Sequence, residues 1–132
     1  DTGLLAAMTN LDVKTILDGN ELFEEFKGAL SEQYVLQQLV ANKHVSLYYW
    51  SAEKSTAEID FLIQCRDIIV PIEVKSAENL QAKSLRSFVY KFQPKIAIRS
   101  SMSDFREEEW LTNLPLYSVC ELVTYIENKQ LK

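Results

Sequence analysis

The sequence predicts an α/β domain in which helices flank a mixed sheet, with the core order α-β-β-β-α-β. In the middle of the chain, over residues 58–64 and 68–75, apolar residues alternate with charged ones as in strands. On either side, over about 21–41 and 79–92, apolar residues recur at helical spacing. The 132 residues suffice for one such domain, which we expect to span the whole chain, with residues 1–19 as an N-terminal extension.

The first element of this core is the helix over residues 21–41. Asn20 is a favourable N-cap for it. Three acids near its start, Glu21, Glu24 and Glu25, lie where the helix dipole favours negative charge. Ahead of it, residues 10–17 are expected to form a shorter helix that ends at Asp18-Gly19.

Three strands are expected to follow as a consecutive antiparallel meander. Residues 45–50 are aromatic and β-branched, which is typical of a strand. We interpret Tyr48, Tyr49 and Trp50 there as alternating between the two faces of a central strand. The second and third strands, 58–64 and 68–75, are separated by so few residues that a hairpin can join them.

The last third of the chain predicts a helix, two short strands and a final helix. Residues 79–92 carry apolar side chains at helical spacing, and residues 95–99 follow as a strand. Residues 114–117 are a further candidate strand, and residues 119–126 a final helix. The three glutamates at 107–109 are interpreted as part of a solvated helix face.

Composition and charge restrict the class of protein. No apolar run approaches the length of a membrane span, no signal peptide is recognisable, and Cys65 and Cys120 form no spaced metal motif, so a cytoplasmic location is expected. The net charge of −5 argues against strong non-specific binding of nucleic acid. Residues 61–100 nevertheless carry 7 basic and 3 acidic side chains, which could guide a polyanion or could simply be solvated.

Charged residues inside the two central strands are the candidate functional residues. Glu58 and Asp60 are expected to share one face of their strand, and Glu73 and Lys75 one face of the next. The opposite face of the first strand is assigned to Ile59, Phe61 and Ile63. A hairpin would bring three carboxylates and an ammonium group together on the sheet. Charge is costly there unless it is paired or holds a metal, which makes this a candidate site for metal-assisted phosphodiester chemistry.

Glu32 is a further candidate acid, on the first core helix. It shares its face with the apolar residues that follow it at helical spacing, Val35, Leu36 and Leu39. A carboxylate in an apolar stripe needs a cation, a hydrogen bond or a metal. The alternative is that the stripe is centred on Leu30 and Tyr34, which would leave Glu32 at its solvated edge.

These acids and their order resemble the PD-(D/E)XK nuclease superfamily. More closely, the chain resembles the domain that follows the P-loop module in many prokaryotic AAA-type ATPases. The matching motifs are Asp1-Thr2-Gly3-Leu4-Leu5, Tyr49-Trp50, Glu58-Ile59-Asp60-Phe61 and Ile72-Glu73-Val74-Lys75. The resemblance covers nearly the whole chain and implies a restriction-endonuclease-like αβββαβ core. Ile59 stands where the superfamily pattern has proline, which is a small departure.

The resemblance also implies a metal site. Its metal ligands would be Glu32, Asp60 and Glu73, the catalytic residues would be Asp60, Glu73 and Lys75, and Glu58 and Gln81 would be supporting residues beside them. Hard carboxylate oxygens suit Mg²⁺ or Mn²⁺. We therefore expect Mn²⁺ to stabilise the domain, and Asp60→Asn or Glu73→Gln to remove that effect. Without metal, each substitution should cost little stability or even increase it, because it removes a like-charge clash.

Two functions remain open at this point. The first is metal-dependent hydrolysis of nucleic acid, and the second is a catalytically silent module that binds nucleic acid or protein or regulates its ATPase. The start at Asp1 suggests a piece of a longer polypeptide, and no Gly-x-x-x-x-Gly-Lys motif is present, so no ATP site is expected in this chain. The implied partners are the N-terminal ATPase module of the same polypeptide and nucleic acid, with no membrane; a homo-oligomer is left open.

Overall fold

A six-stranded mixed sheet forms the middle layer of the protein. The computed structural model describes residues 1–8, 21–42, 45–53, 56–76 and 81–131, except the side chains of 21–25. Within these residues the strands lie in the order β1-β2-β3-β4-β6-β5. Their bounds are Ser46–Ser51 (β1), Glu58–Cys65 (β2), Ile68–Lys75 (β3), Ile98–Ser101 (β4), Arg106–Glu107 (β5) and Thr112–Pro115 (β6).

Four α-helices and one 3₁₀ helix are present in the described part of the chain. The α-helices are Thr2–Met8 (α1), Glu21–Ala41 (α2), Lys83–Phe92 (α3) and Leu122–Gln130 (α4), and the 3₁₀ helix is Leu116–Glu121. Helix α1 packs along α2, where the backbone N–H of Thr2 donates to Gln37 Oε1 at 2.8 Å. None of the described helices has the length and apolar character needed to cross a membrane.

The sheet topology confirms the predicted meander. Strands β1, β2 and β3 pair antiparallel in sequence order, and β3, β4 and β6 then pair parallel. Parallel pairing of β3 and β4 requires a crossover, which contains α3. The αβββαβ order is therefore present as α2-β1-β2-β3-α3-β4. The assignment of residues 45–50 to a central strand is wrong, because β1 lies at the edge of the sheet and leaves Tyr48 and Tyr49 exposed.

Two apolar clusters hold helices to the two faces of the sheet. The larger cluster joins α2, the 3₁₀ helix and α4 to one face through residues such as Val35, Ile72 and Leu122. The smaller cluster joins α3 to the other face through Leu85 and Phe88. Burial of these side chains, each worth about 1.5–3 kcal/mol, is what fixes the helices against the sheet.

The C-terminal third differs in detail from the sequence prediction. The strand expected at 95–99 begins later, as β4, and the strand expected at 114–117 begins earlier, as β6. The final helix of 119–126 is observed as the 3₁₀ helix followed by α4. The helix face assigned to residues 107–109 is wrong, because Glu107 lies in β5, which pairs with β6. The helix expected at 10–17 lies outside the described residues.

Candidate active site

A β-bulge in β2 lies at the centre of the candidate site. Tyr48 pairs with Leu62, but Trp50 pairs with Ile59, so Asp60 and Phe61 together stand opposite a single residue of β1. An extra residue interrupts the alternation of faces. The prediction that Ile59 shares a face with Phe61 and Ile63 is therefore wrong: Ile59 packs in the α3 cluster and the other two in the α2 cluster.

The bulge directs the side chain of Asp60 toward the backbone of β3. The N–H of Val74 donates to Asp60 Oδ2 at 2.6 Å, beyond the last regular pair of these strands, Phe61 with Ile72. The pKa of Asp60 is raised to about 6, chiefly by burial and also by the charges of Glu32 and Glu73, against the opposing effects of the Val74 hydrogen bond and of Lys75. Asp60 is thus a partly desolvated acid that responds to three neighbouring charges.

Glu73 belongs to β3, and its side chain lies against the N-terminus of α3. The residue is buried, with only 4% of its surface exposed. Its Oε2 accepts the backbone N–H of Leu85 at 3.1 Å, and its Oε1 lies 2.7 Å from Lys75 Nζ. Ala82, the N-cap of α3, has no side chain that could make this hydrogen bond. The Glu73 carboxylate therefore satisfies one free N–H of the first turn and places negative charge where the helix dipole favours it.

Glu32 reaches the same group of charges from α2. Glu32 is exposed to solvent. This agrees with the alternative interpretation, in which Glu32 lies at the solvated edge of the apolar stripe of the helix. Partial desolvation of its carboxyl group nevertheless raises its pKa, as does the charge of Glu58, while Lys75 acts to lower it. Glu58 and Gln81 are both exposed, and Gln81 lies two residues before α3 begins.

We call Glu32, Asp60 and Glu73, with Lys75, the carboxylate cluster. The charges of the other three act on Asp60, so the structure brings each of them within electrostatic reach of that carboxyl group. Among the described residues, however, no three His, Cys, Asp or Glu side chains are arranged so that they could hold a metal ion. Carboxylate oxygens are the ligands that a hard divalent ion prefers. The three carboxylates of the cluster are nevertheless not arranged so that they could bind one ion together.

An open cleft of about 480 Å³ borders the carboxylate cluster. Its acidic wall consists of Glu32, Glu58 and Asp60, and Leu5 of α1 and Tyr49 of β1 are among its apolar lining residues. Glu73 lies instead under the N-terminus of α3. A ligand in this cleft would therefore meet three carboxylates, which favours cations over unaccompanied anions.

A buried polar network beside the cluster was missed by sequence reasoning. Arg99 is 3% exposed and pairs across the parallel ladder with Glu73. Its Nε donates to Asn113 Oδ1 at 2.9 Å, and its guanidinium also donates to Glu108 Oε1 at 2.6 Å. The available signal was a cation directly after the apolar run Ile96-Ala97-Ile98, since charge in a buried strand requires partners.

Asp60→Asn is expected to stabilise the protein by about 2–3 kcal/mol near neutral pH. The folded-state pKa is raised from 3.8 to about 6, so the fold favours neutral Asp60 and loses stability as pH rises between these values. Asparagine stays neutral and can still accept the Val74 N–H. Urea unfolding of both proteins across this pH range should show the difference shrinking to zero at acid pH. A constant difference would show that Asp60 titration does not cause it.

The chain was compared with models of known protein families. A family model described as a domain of unknown function, DUF4143, matches residues 27–119. The match runs from α2 into the 3₁₀ helix and includes the whole carboxylate cluster. No curated protein matches the chain.

Proposed function

The chain belongs to the DUF4143 family, and on that premise we propose that it is the nuclease-like domain of a prokaryotic AAA-type ATPase and acts on nucleic acid at the carboxylate cluster. The proposal includes a restriction-endonuclease-like αβββαβ core. Its support is the element order α2-β1-β2-β3-α3-β4 together with the position of the acids on it. The P-loop ATPase module is proposed as a partner in the same polypeptide.

One observation carries the proposal most directly. Acids from three separate elements, α2, β2 and β3, act electrostatically on one another, and Lys75 is ion-paired with Glu73. Placing like charges together costs free energy unless a cation compensates them. In the hydrolytic form of the proposal, one or two of the carboxylates Glu32, Asp60 and Glu73 would hold Mg²⁺ or Mn²⁺ together with waters and substrate phosphate, since the three are not arranged to bind one ion jointly. The ion would supply an activated water and compensation of phosphate charge.

The second candidate function is a silent binding or regulatory module, and a specific observation favours it as well. Asp60 accepts the Val74 N–H, and Glu73 accepts the Leu85 N–H beside Lys75, so both acids already stabilise the fold. A carboxylate engaged in this way needs no metal to justify its burial. The two candidates differ in what they expect of added metal.

Millimolar Mn²⁺ is expected to raise the melting temperature if the cluster binds metal. An ion that binds only the folded state adds about 2.7 kcal/mol at 100 times its Kd. Asp60→Asn should abolish this shift. Asp67→Asn, the same chemical change in the exposed turn between β2 and β3, should leave the shift intact.

Cleavage of labelled DNA and RNA by the full polypeptide, with Mn²⁺ or with a chelator, then separates the two functions. Hydrolysis that requires Mn²⁺, is lost in Asp60→Asn and persists in Asp67→Asn supports the nuclease. Absence of both a Mn²⁺ shift and cleavage, with nucleic-acid binding retained, supports the silent module.

A further inference from the structure

The segment from residue 81 to residue 95 is the most basic part of the structure that the proposed function does not use. It contains four cations, Lys83, Arg86, Lys91 and Lys95, and no acidic residue. The whole chain carries a net charge of −5, so this segment is opposite in sign to the rest of the chain taken together. All four residues are exposed. We call helix α3 and the residues that follow it, up to Lys95, the α3 surface.

The cations of the α3 surface differ from others in the structure in their pairing. Elsewhere in the described residues, Glu side chains form ion pairs with Arg66, Lys75, Arg99, Arg106 and Lys129. Within the same residues no ion pair involves Lys83, Arg86, Lys91 or Lys95. Arg86 lies 6.0 Å from the ring centre of Trp110, and Lys91 lies 4.8 Å from that of Phe92. Their charges therefore remain available to an anionic partner.

The α3 surface begins at the carboxylate cluster. The N–H of Leu85, in the first turn of α3, donates to Glu73, so Lys83 stands beside the site. A cation in the first turn opposes the helix dipole, which makes this placement unfavourable for the helix alone. From there the ten residues of α3 extend about 15 Å, at 1.5 Å per residue. A phosphate chain bound along the helix would thus lead to the cluster.

An exposed aromatic ring lies among these cations. Tyr90 is 87% exposed, and it lies four residues after Arg86, which places the two on neighbouring positions of one helix face. So large an apolar surface in water gains nothing for the fold. Cations that contact phosphates, combined with a ring on which bases stack, are the features of surfaces that bind single strands.

We propose that the α3 surface binds single-stranded nucleic acid, with its cations contacting phosphates and Tyr90 stacking on a base. The inference rests on the proposed function, because it supplies the path by which nucleic acid reaches the carboxylate cluster. The acidic wall of the cleft repels a polyanion, whereas the cations of the α3 surface attract it. Nucleic acid is therefore expected to approach the protein from the side of α3.

The test is fluorescence anisotropy with a labelled single-stranded oligonucleotide of about 16 nucleotides. A chelator is present throughout, so that binding is measured apart from cleavage and from metal. Arg86→Gln and Lys91→Gln should each weaken binding about fivefold near 0.1 M salt and reduce the salt slope by about 0.7. Arg66→Gln removes the same charge from an arginine that is paired with Glu127, and it should change neither quantity.

Stacking has its own matched pair of variants. Tyr90→Ala should weaken single-strand binding at least about fivefold and leave duplex binding unchanged. Tyr117→Ala, at a tyrosine that is 75% exposed in the 3₁₀ helix, should have no effect.

The outcomes separate this inference from the proposed function. Binding that is equally strong in the α3 and control variants overturns the α3 surface while leaving Mn²⁺-dependent cleavage open. Failure of the parent to bind any oligonucleotide also overturns it, and binding of polyglutamate to α3 in that case would indicate an acidic protein partner instead. Loss of binding confined to the α3 variants supports the inference even where Mn²⁺ produces no cleavage.

Discussion

Replacing Arg99 by methionine is expected to lower the free energy of unfolding by about 3 kcal/mol. The side chain of Arg99 is 4% exposed, and it donates to both Glu108 and Asn113. Methionine fills similar volume but leaves a partly buried carboxylate and a buried amide oxygen with fewer donors. This loss of stability lies at the low end of the range of about 3–5 kcal/mol for removing one partner of a buried ion pair. The reason is that Arg106 still forms an ion pair with Glu108. Urea unfolding of the two proteins measures it directly.

The pH dependence of this loss identifies its cause. Burial acts to raise the pKa of Glu108, but the hydrogen bonds and charges of Arg99 and Arg106 outweigh burial and hold it below its ordinary value of 4.5. A lowered carboxyl pKa contributes stability above the unfolded value and loses it as pH falls through the folded value. The effect of Arg99→Met should therefore shrink in acid.

Arg66→Met is the control for this measurement. Arg66 pairs with Glu127 at 3.1 Å, but both side chains are largely exposed, and such pairs contribute about 0–1 kcal/mol. A cost for Arg99→Met no larger than this control would show that the buried network does not stabilise the fold. Loss of the same size at acid and neutral pH would assign the cost to packing instead of charge.

The αβββαβ core could be predicted because its signals are local. Period-2 patterning in β2 and β3, and helical spacing in α2 and α3, are properties of the segments themselves. The close spacing of the two strands also required their antiparallel hairpin. The acids on these elements could then be placed near one another, and Asp60, Glu73 and Lys75 do act on one another electrostatically.

The bulge could not be predicted, because the residues Asp60 and Phe61 are of types that also occur in regular strands. A bulge depends on how β1 pairs with β2, which is not encoded in either strand alone. The position of β1 at the edge of the sheet could not be predicted from the sequence either, since aromatic residues suit central and edge strands equally. Glu108 was misread because three consecutive glutamates are polar in any element, and its partner Arg99 is nine residues away.

The structure also separates two acids that the sequence treated alike. Neutralising either acid was expected to cost little stability or to increase it. Asp60 has a raised pKa, whereas Glu73 is ion-paired to Lys75 and accepts a helix N–H. Neutralising Asp60 should therefore stabilise the fold, and neutralising Glu73 should destabilise it.

Glu73→Gln is expected to lower the free energy of unfolding by about 2 kcal/mol without metal, since hydrogen bonds to charged groups contribute about 1.5–3 kcal/mol. Glutamine can still accept the Leu85 N–H, but Lys75 loses its counter-charge and α3 loses an anion at its N-terminus. In the hydrolytic form of the proposed function, the same variant should reduce Mn²⁺-dependent cleavage by about 10²–10³-fold, the effect that is typical of removing one group that stabilises the transition state.

Pairing Glu73→Gln with Asp60→Asn makes the decisive comparison, because the two change stability in opposite directions. If the carboxylate cluster is a catalytic site, cleavage and the Mn²⁺ thermal shift disappear in both variants, although one is more stable than the parent and the other less. If the acids only stabilise the fold, the activity of each variant should change in the same direction as its free energy of unfolding. Asp60→Asn then behaves like the parent or better, and only Glu73→Gln is impaired. Cleavage and urea unfolding of the three proteins, measured at one pH above the pKa of Asp60, which is about 6, distinguish these cases.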